Sequence, residues 1–335
     1  MALRIATFNI ENLDDAPIPP DRRDTEPTFE ERAAILRPQL QRIDADILCL
    51  QEVHGQDEDS GPRGLRALRR LFEGTKYAGW DLRSTTLKGK PDVERFRNLV
   101  TVIHPDMAFE EGREILHEFA DPPQYNIVTD DDPGRVRDIK WDRPMLYTRI
   151  RLAGDLGVLH VINVHYKSKR PTPIAGQGPR DFKWKTAAGW AEGFFLSSMK
   201  RVGAALETRI FVDRLIDADP EAMVVVCGDL NAESDEVPVM ALRGEVEDTG
   251  NPALNPYVLY PLEESVPKDK RFTLYHHGRK NMLDHLLVSR ALIGAYRSTE
   301  IHNEIVRDES IAFASDKKYP SSDHAPVVAT FELAR

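Results

Sequence analysis

Short apolar runs, four to eight residues long and rich in β-branched side chains, recur along the chain and end in polar residues. They predict strands over 3–9, 46–52, 99–104, 145–152, 158–165, 223–229, 283–288 and 326–333. Between them, apolar residues three and four apart predict helices over 29–43, 64–72, 199–217 and 237–243. The third helix is the clearest: Val202, Leu206, Ile210, Val212 and Leu215 form one stripe, and Asp219-Pro220 stops it. Stretches 14–27, with four prolines, 121–138, with five aspartates, and 171–178 follow neither period and are expected to be surface loops. The alternation of strands and helices places the chain in the α/β class.

At 335 residues with 41% hydrophobic content, the chain can bury one large core, and no stretch reads as a linker. A single domain over 1–335 is expected. No apolar run reaches 18 residues, and the strand LRIATFNI starts at position 3, which predicts a cytoplasmic protein without membrane association. No feature points to a protein partner. Cys49 and Cys227 sit inside apolar runs, as small core residues do. No pair of His or Cys has the spacing of a zinc site.

What the strands deliver is more telling than the strands themselves. Asn9, Glu52, His165, Asp229, Asn231, Asp284, Asp323 and His324 all stand at or next to a strand end. Each alone has a commoner structural use, as a turn cap or a partner for arginine, but together they would build a hydrolytic metal site. Asp229 and Asn231 are two apart in GDLN, so a carboxylate that can take a proton from water sits beside an amide that can donate to an oxyanion. Asn9 and Glu52 make a hard-oxygen pair suited to Mg²⁺. His165 and His324 could serve a transfer that needs a base and a stabilised phosphoryl oxygen.

Net charge is −10, a poor global match to a polyanion, yet the charge is uneven. Between His165 and Arg201 eight Lys or Arg face two acids, a local balance of +6, interleaved with Phe182, Trp184, Trp190, Phe194 and Phe195. Such a basic, aromatic insert at about 166–198 is expected either to contact phosphates and a stacked ligand or to form a helix with buried aromatics and solvated charges.

The motifs TFNIENL, LCLQEV, NVHYKSK, GDLN, LDHLLVS and SDHAPVV, in this order, resemble the endonuclease/exonuclease/phosphatase superfamily, the fold of deoxyribonuclease I. The resemblance implies a four-layer α/β sandwich, with two mostly antiparallel central sheets flanked by helices and the site at one edge. It also implies Mg²⁺- or Mn²⁺-dependent cleavage of a phosphoester by in-line attack of water. By that likeness Asn9, Glu52 and Asp323 resemble metal-site residues, and Asp229 the residue that orients or deprotonates the water. Asn231 would donate to the phosphoryl oxygen, His165 would contact the phosphate or leaving group, and Asp284 would orient His324. Arg143, in DRPMLYTRI, sits where relatives carry a phosphate-contacting arginine. The N-x-H-x-K-S form is similar to that of bacterial nucleases of the superfamily. Two departures stand out: Glu11 adds a carboxylate that could bind metal or cap the turn, and ERFRNLV offers no acidic partner for His165.

The expected function is a metal-dependent phosphodiesterase, an endonuclease on DNA or RNA, with Lys167, Lys183 and Lys185 joining Arg143 in substrate binding. The alternative is a phosphatase or phosphodiesterase for a small-molecule or lipid head-group ester.

Overall fold

The computed structural model describes every residue except 1, 133, 135, 179–182, 309, 311–317 and 335. Arg180, Asp181 and Phe182 of the basic stretch therefore lie outside the described residues. Two six-stranded sheets form the centre. The first contains β1 (Ala2–Leu13), β2 (Ile47–Val53), β3 (Asp81–Ser84), β4 (Asn98–Ile103), β15 (Tyr296–Ile301) and β16 (Val327–Glu332) in the order β15-β16-β1-β2-β4-β3. The second contains β5 (Ala108–Ile115), β8 (Met145–Arg151), β9 (Val158–His165), β10 (Met223–Asp229), β11 (Tyr260–Pro261) and β14 (Asp284–Val288) in the order β11-β14-β10-β9-β8-β5. Each sheet has one parallel pair, β1 with β2 and β9 with β10, and is otherwise antiparallel.

The eight expected strands are present, and the alternation of side chains explains why both faces of them are apolar. One face of each sheet meets the other sheet through residues such as Ile5, Ile47, Val161, Val225, Leu286 and Phe331. The opposite face of the first sheet is covered by α1 (Phe29–Ile43) and α2 (Arg66–Phe72). That of the second is covered by α3 (Ala187–Ala218) and α4 (Val237–Arg243). Two further short helices are α5 (Val246–Thr249) and α6 (Arg290–Ile293). The result is the expected four-layer sandwich, with sheets buried on both sides. α1 has the expected bounds because Thr28 and Glu31 form a reciprocal capping box and Asp44 ends it with φ +46°.

Several expectations need correction. Segment 121–138 is not all loop: β6 (Gln124–Asn126) and β7 (Val136–Asp138) form a hairpin, as do β12 (Leu274–His276) and β13 (Arg279–Asn281) near the other end of the chain. α3 starts at Ala187 rather than 199, and its buried face is rotated from the expected stripe. Leu206 is 49% exposed, while Ala204, Ala205, Thr208, Phe211, Val212 and Ile216 face the sheet. Two polar residues share that face because they find partners: Glu207 accepts from Trp141 Nε1 at 2.7 Å, and Thr208 from Tyr166 Oη at 2.9 Å.

The length of α3 shapes the surroundings of the site. Its 32 residues span about 48 Å, against about 26 Å for the eight residues of β9. Arg201 Nη1 donates to Lys167 O at 2.9 Å, just past the end of β9. From Ala204 onward α3 covers the sheet, and its N-terminal part overhangs the loop that follows β9, where Thr172 N donates to Gly193 O at 2.8 Å and Ser197 Oγ to Arg170 O at 2.7 Å. The basic, aromatic stretch is thus partly helical, and its described aromatics divide: Trp190 is 48% and Phe195 47% exposed, while Trp184 packs against the small buried cluster of Ile139, Ile174 and Leu196. Glu192 fastens this overhang to the neighbouring hairpin, accepting from Tyr125 Oη, Val128 N, Thr129 N and Thr129 Oγ1 at 2.6–2.9 Å.

Candidate active site

Local backbone irregularities bring polar side chains to the sandwich edge. Pairing slips on β1 between Asn9 and Leu13, and on β2 between Leu50 and Val53. There Glu11 (φ +50°) and Glu52 (φ +60°) occupy the left-handed region, which costs a non-glycine residue roughly 1–2 kcal/mol. Such strain persists where a bulge must re-aim a side chain. On β10, Gly228 has φ +141°, and a Cβ there would lie 1.9 Å from Val164 O of β9. Only glycine fits, so Asp229 can register beside His165.

Inside the sandwich a chain of amides locks the sheets together just below these residues. Gln51 Nε2 donates to Asn163 Oδ1 at 2.7 Å and to Thr7 Oγ1 at 3.1 Å. Asn163 Nδ2 donates across to Leu50 O at 3.2 Å and Val100 O at 3.1 Å. All three side chains are fully buried. Their bonds fix the height of one sheet against the other, and hence the spacing of Glu52 from His165.

Asp229 is the hub. Its Oδ2 accepts from Asn9 Nδ2 at 3.1 Å and lies 3.4 Å from His165 Nε2 and 4.0 Å from His324 Nε2. Its Oδ1 accepts from Asn231 N at 2.9 Å. Burial pushes this carboxyl up to about 7, with the His324 charge pulling the other way. Asn231 itself has φ +50° and donates through Nδ2 to Tyr166 O at 3.2 Å, leaving its second N–H for another acceptor.

The two histidines differ in charge. His324 Nδ1 bonds to Asp284 Oδ2 at 2.6 Å. Burial alone would lower its pKa, but Asp284, Asp323 and Asp229 together hold it well above the ordinary histidine value. His165 is held well below that value, first by burial and then by the Arg143 and Arg97 charges. Its Nδ1 is buried and bonds to none of the described residues, in keeping with the lack of an acidic partner in ERFRNLV.

Oxygen donors gather on the side of the first sheet. Glu11 Oε2 accepts from Asp323 N at 3.2 Å, and Glu52 Oε1 lies 3.5 Å from His165 Nε2. Burial, then the Asp323 charge, pushes Glu11 up to about 8, while Arg32 opposes this. Carboxylates crowded in this way, beside the Asn9 amide, suit a hard divalent cation. Asp229, Asp284 and His324 also offer ligand atoms within 4.8 Å of one another. Asp284 Oδ1 is buried without a hydrogen-bond partner among the described residues, so this group also could face an ion, although a His324 held above its ordinary pKa would repel a cation when protonated.

Asn9, Glu52, His165, Asp229, Asn231, Asp284, Asp323 and His324 therefore converge on one edge. Arg143 stands beside them, half-buried, with Nη1 donating to Tyr166 O at 3.1 Å. Lys167 turns into its own loop instead, with Nζ donating to Ser168 O, Ser168 Oγ and Arg170 O at 3.1–3.3 Å. Burial, then Arg143, lowers its pKa to about 8. Lys183 and Lys185 are exposed on the approach to α3, without a contact to the cluster among the described residues. Sequence reasoning did not assign Arg97, Gln51 and Asn163, and left Glu11 open. Arg97 (φ +60°) places Nε 3.9 Å from Glu52 Oε2. Asn163 was legible as the first residue of N-x-H, two before His165 and so on the same strand face.

A second buried pair steadies the loop after Asp229. His285 Nδ1 meets Glu263 Oε1 at 2.5 Å and its Nε2 meets Ala232 O at 2.8 Å. Burial depresses the His285 pKa, but the Glu263 charge and hydrogen bond outweigh it and leave the value raised.

Fold and site together define a phosphoester hydrolase built on two packed sheets. Residues 6–324 match the Endonuclease/Exonuclease/phosphatase family, and the chain belongs to that family. Its enzymes are generally phosphoesterases and typically depend on divalent metal. Truncated TDP2 from Caenorhabditis elegans is a similar structure: TM-score 0.56, 16% identity, 98% of this chain and 97% of that one covered. So is an endonuclease/exonuclease/phosphatase family protein from Bacteroides thetaiotaomicron (0.56, 14%, 100% and 98%). The 3′ phosphatase NExo from Neisseria, bound to a product DNA hairpin, is similar over 98% of this chain and 99% of its own (0.53, 17%). No curated protein sequence matches. No helix among the described residues is long and apolar enough to cross a membrane.

Proposed function

We propose that the chain is a Mg²⁺- or Mn²⁺-dependent phosphodiesterase that hydrolyses DNA or RNA by in-line attack of water. The observation that carries this reading is the position of Asp229 Oδ2, 3.4 Å from His165 Nε2 and 4.0 Å from His324 Nε2, with burial pushing its carboxyl up to about 7. Such a carboxylate can take the proton of the attacking water. Asn231, with one N–H free, donates to a phosphoryl oxygen, and His324, kept cationic by Asp284, offsets the negative charge developing there. His165 lies where its Nε2 can meet the phosphate or the leaving group. Asn9, Glu52 and Asp323, joined by Glu11, would hold the ion, which when bound supplies Lewis-acid polarisation of the phosphoryl oxygen.

A polynucleotide is favoured by the overhang of α3 beside this edge, with exposed Lys183 and Lys185 and exposed Trp190 and Phe195. NExo, a structural neighbour, is bound to DNA. The net charge of −10 supports the second reading, a small-molecule phosphoesterase. Activity assays with Mg²⁺, Mn²⁺ or EDTA on plasmid DNA, RNA, abasic duplex, a bis-aryl phosphodiester and phosphomonoesters separate the two. Cleavage of polynucleotide that needs metal and weakens steeply with salt is expected. Hydrolysis of monoesters alone would replace the nuclease reading with the second one.

A further inference from the structure

A cleft of about 360 Å³ opens beside the carboxylate side of the site and plays no part in the chemistry above. Glu11, which bonds to Asp323, lies at their junction. Rings and aliphatic groups, Pro17, Ile18, Pro19, Phe29, Phe96 and Tyr319, line it together with a larger polar and charged share. The proline-rich stretch therefore builds a surface, and Lys318 N closes it by donating to Thr25 O at 2.8 Å.

Charge and size indicate what this cleft takes. Its charged groups are held among themselves: Arg22 at 3.6 Å and Lys318 at 3.1 Å share the Glu26 carboxylate, and His54 Nδ1 lies 3.7 Å from Asp14 Oδ2. Arg32 spends its guanidinium on Ile10 O and Glu11 O. With three carboxylates (Glu11, Asp14, Glu26) against three cations (Arg22, Arg32, Lys318), the lining carries no net positive charge to draw a second phosphate, and its rings suit an uncharged ring system. The volume lies near the lower end of small-molecule pockets, about 300–1,000 Å³, which admits one nucleoside and excludes a duplex. Phe96 is 63% exposed and set edge-on to His54, with ring centroids 5.2 Å apart. It precedes Arg97, whose left-handed backbone stores strain. Strain retained at that point, between an exposed aromatic in the cleft and an arginine 3.9 Å from Glu52, fits a ligand clamp.

We propose that this cleft binds one nucleoside of the substrate, adjacent to the phosphate under attack, a proposal that rests on the phosphodiesterase reading. A base held there has left its pair and its stack, so the enzyme acts on an unpaired or terminal nucleotide.

The test compares methyl 4-nitrophenyl phosphate, which carries no base, with thymidine 5′- and 3′-(4-nitrophenyl phosphate). Wild type is expected to favour the better thymidine ester in kcat/KM. Phe96→Ala is expected to lower that preference about fivefold or more, the smaller end of one base–aromatic contact, and Phe96→Trp to restore it. Equal kcat/KM for base-bearing and methyl esters, or a preference untouched by Phe96→Ala, would overturn the proposal. If wild type cleaves none of the esters with Mg²⁺ or Mn²⁺, the phosphodiesterase reading fails, and calorimetry with thymidine 5′-monophosphate judges the cleft alone. Binding that Phe96→Ala abolishes supports it, and no binding to wild type overturns it.

Discussion

The two sheets bring different chemistry to the same edge. The first ends in oxygen donors, Asn9, Glu11 and Glu52, whose backbone is bulged and left-handed at both carboxylates. The second ends in proton-active groups, His165 and Asp229, and supplies the Asp284 that holds His324. Neither set is a site alone. Under the proposed function, the difference means that an ion and a proton are handled by separable elements, provided the sheets keep a fixed height against each other.

The sharpest way to break the comparison is to remove the proton side. Asp229→Ala or Asn231→Ala is expected to lower turnover by about a hundredfold or more. Melting temperature should not fall much, because burial that raises the Asp229 carboxyl to about 7 makes its ionisation a cost to folding at neutral pH, a cost that Asp229→Ala removes. Near-normal turnover in both variants would dissolve the proposed division.

Loosening the lock between the sheets should hurt both sides together. Asn163→Ala leaves Gln51 Nε2 and the Leu50 and Val100 carbonyls short of partners, at about 1–3 kcal/mol. Thermal denaturation should reveal that loss alongside a drop in turnover. A variant as stable as wild type would show that Asn163 does not set the spacing.

Smaller effects are expected outside the edge. Lys183→Ala with Lys185→Ala should raise KM for a polynucleotide and lower its salt slope by roughly 0.9 for each phosphate no longer neutralised. A bis-aryl phosphodiester is the control, and an equal response from both substrates would deny the overhang any role in gripping a polynucleotide. The smallest effect concerns pH. Because the His285 pKa is raised in the fold, the Glu263–His285 pair contributes fully below the unfolded value of about 6.5. That contribution is lost as pH rises through the raised value. The Tm gap between wild type and Glu263→Gln should therefore narrow as pH rises above about 6.5, and a gap that widens would refute the protonated pair.

Strands buried on both faces were legible in the sequence because their runs are uninterrupted, and α1 because its cap residues are explicit. The edge strand β5, AFEEGREI, was not, since half-exposed positions keep charge on both faces. α3 misled for a related reason: Glu192, Ser197, Glu207 and Thr208 are buried and satisfied, so its true face reads as polar. At the site, the polar residues ending apolar runs were visible, whereas the left-handed positions that aim Glu11 and Arg97 leave no mark in composition or period.

The central claim is that one sheet edge serves an ion and the other serves protons. A Mg²⁺ titration of turnover on one phosphodiester, run side by side for Glu52→Gln and Asp229→Asn, tests it most directly. Glu52→Gln should need far more Mg²⁺ yet climb back toward wild-type turnover, while Asp229→Asn stays about a hundredfold or more below at every concentration. Recovery of Asp229→Asn at high Mg²⁺, or wild-type turnover persisting in EDTA, would contradict the account.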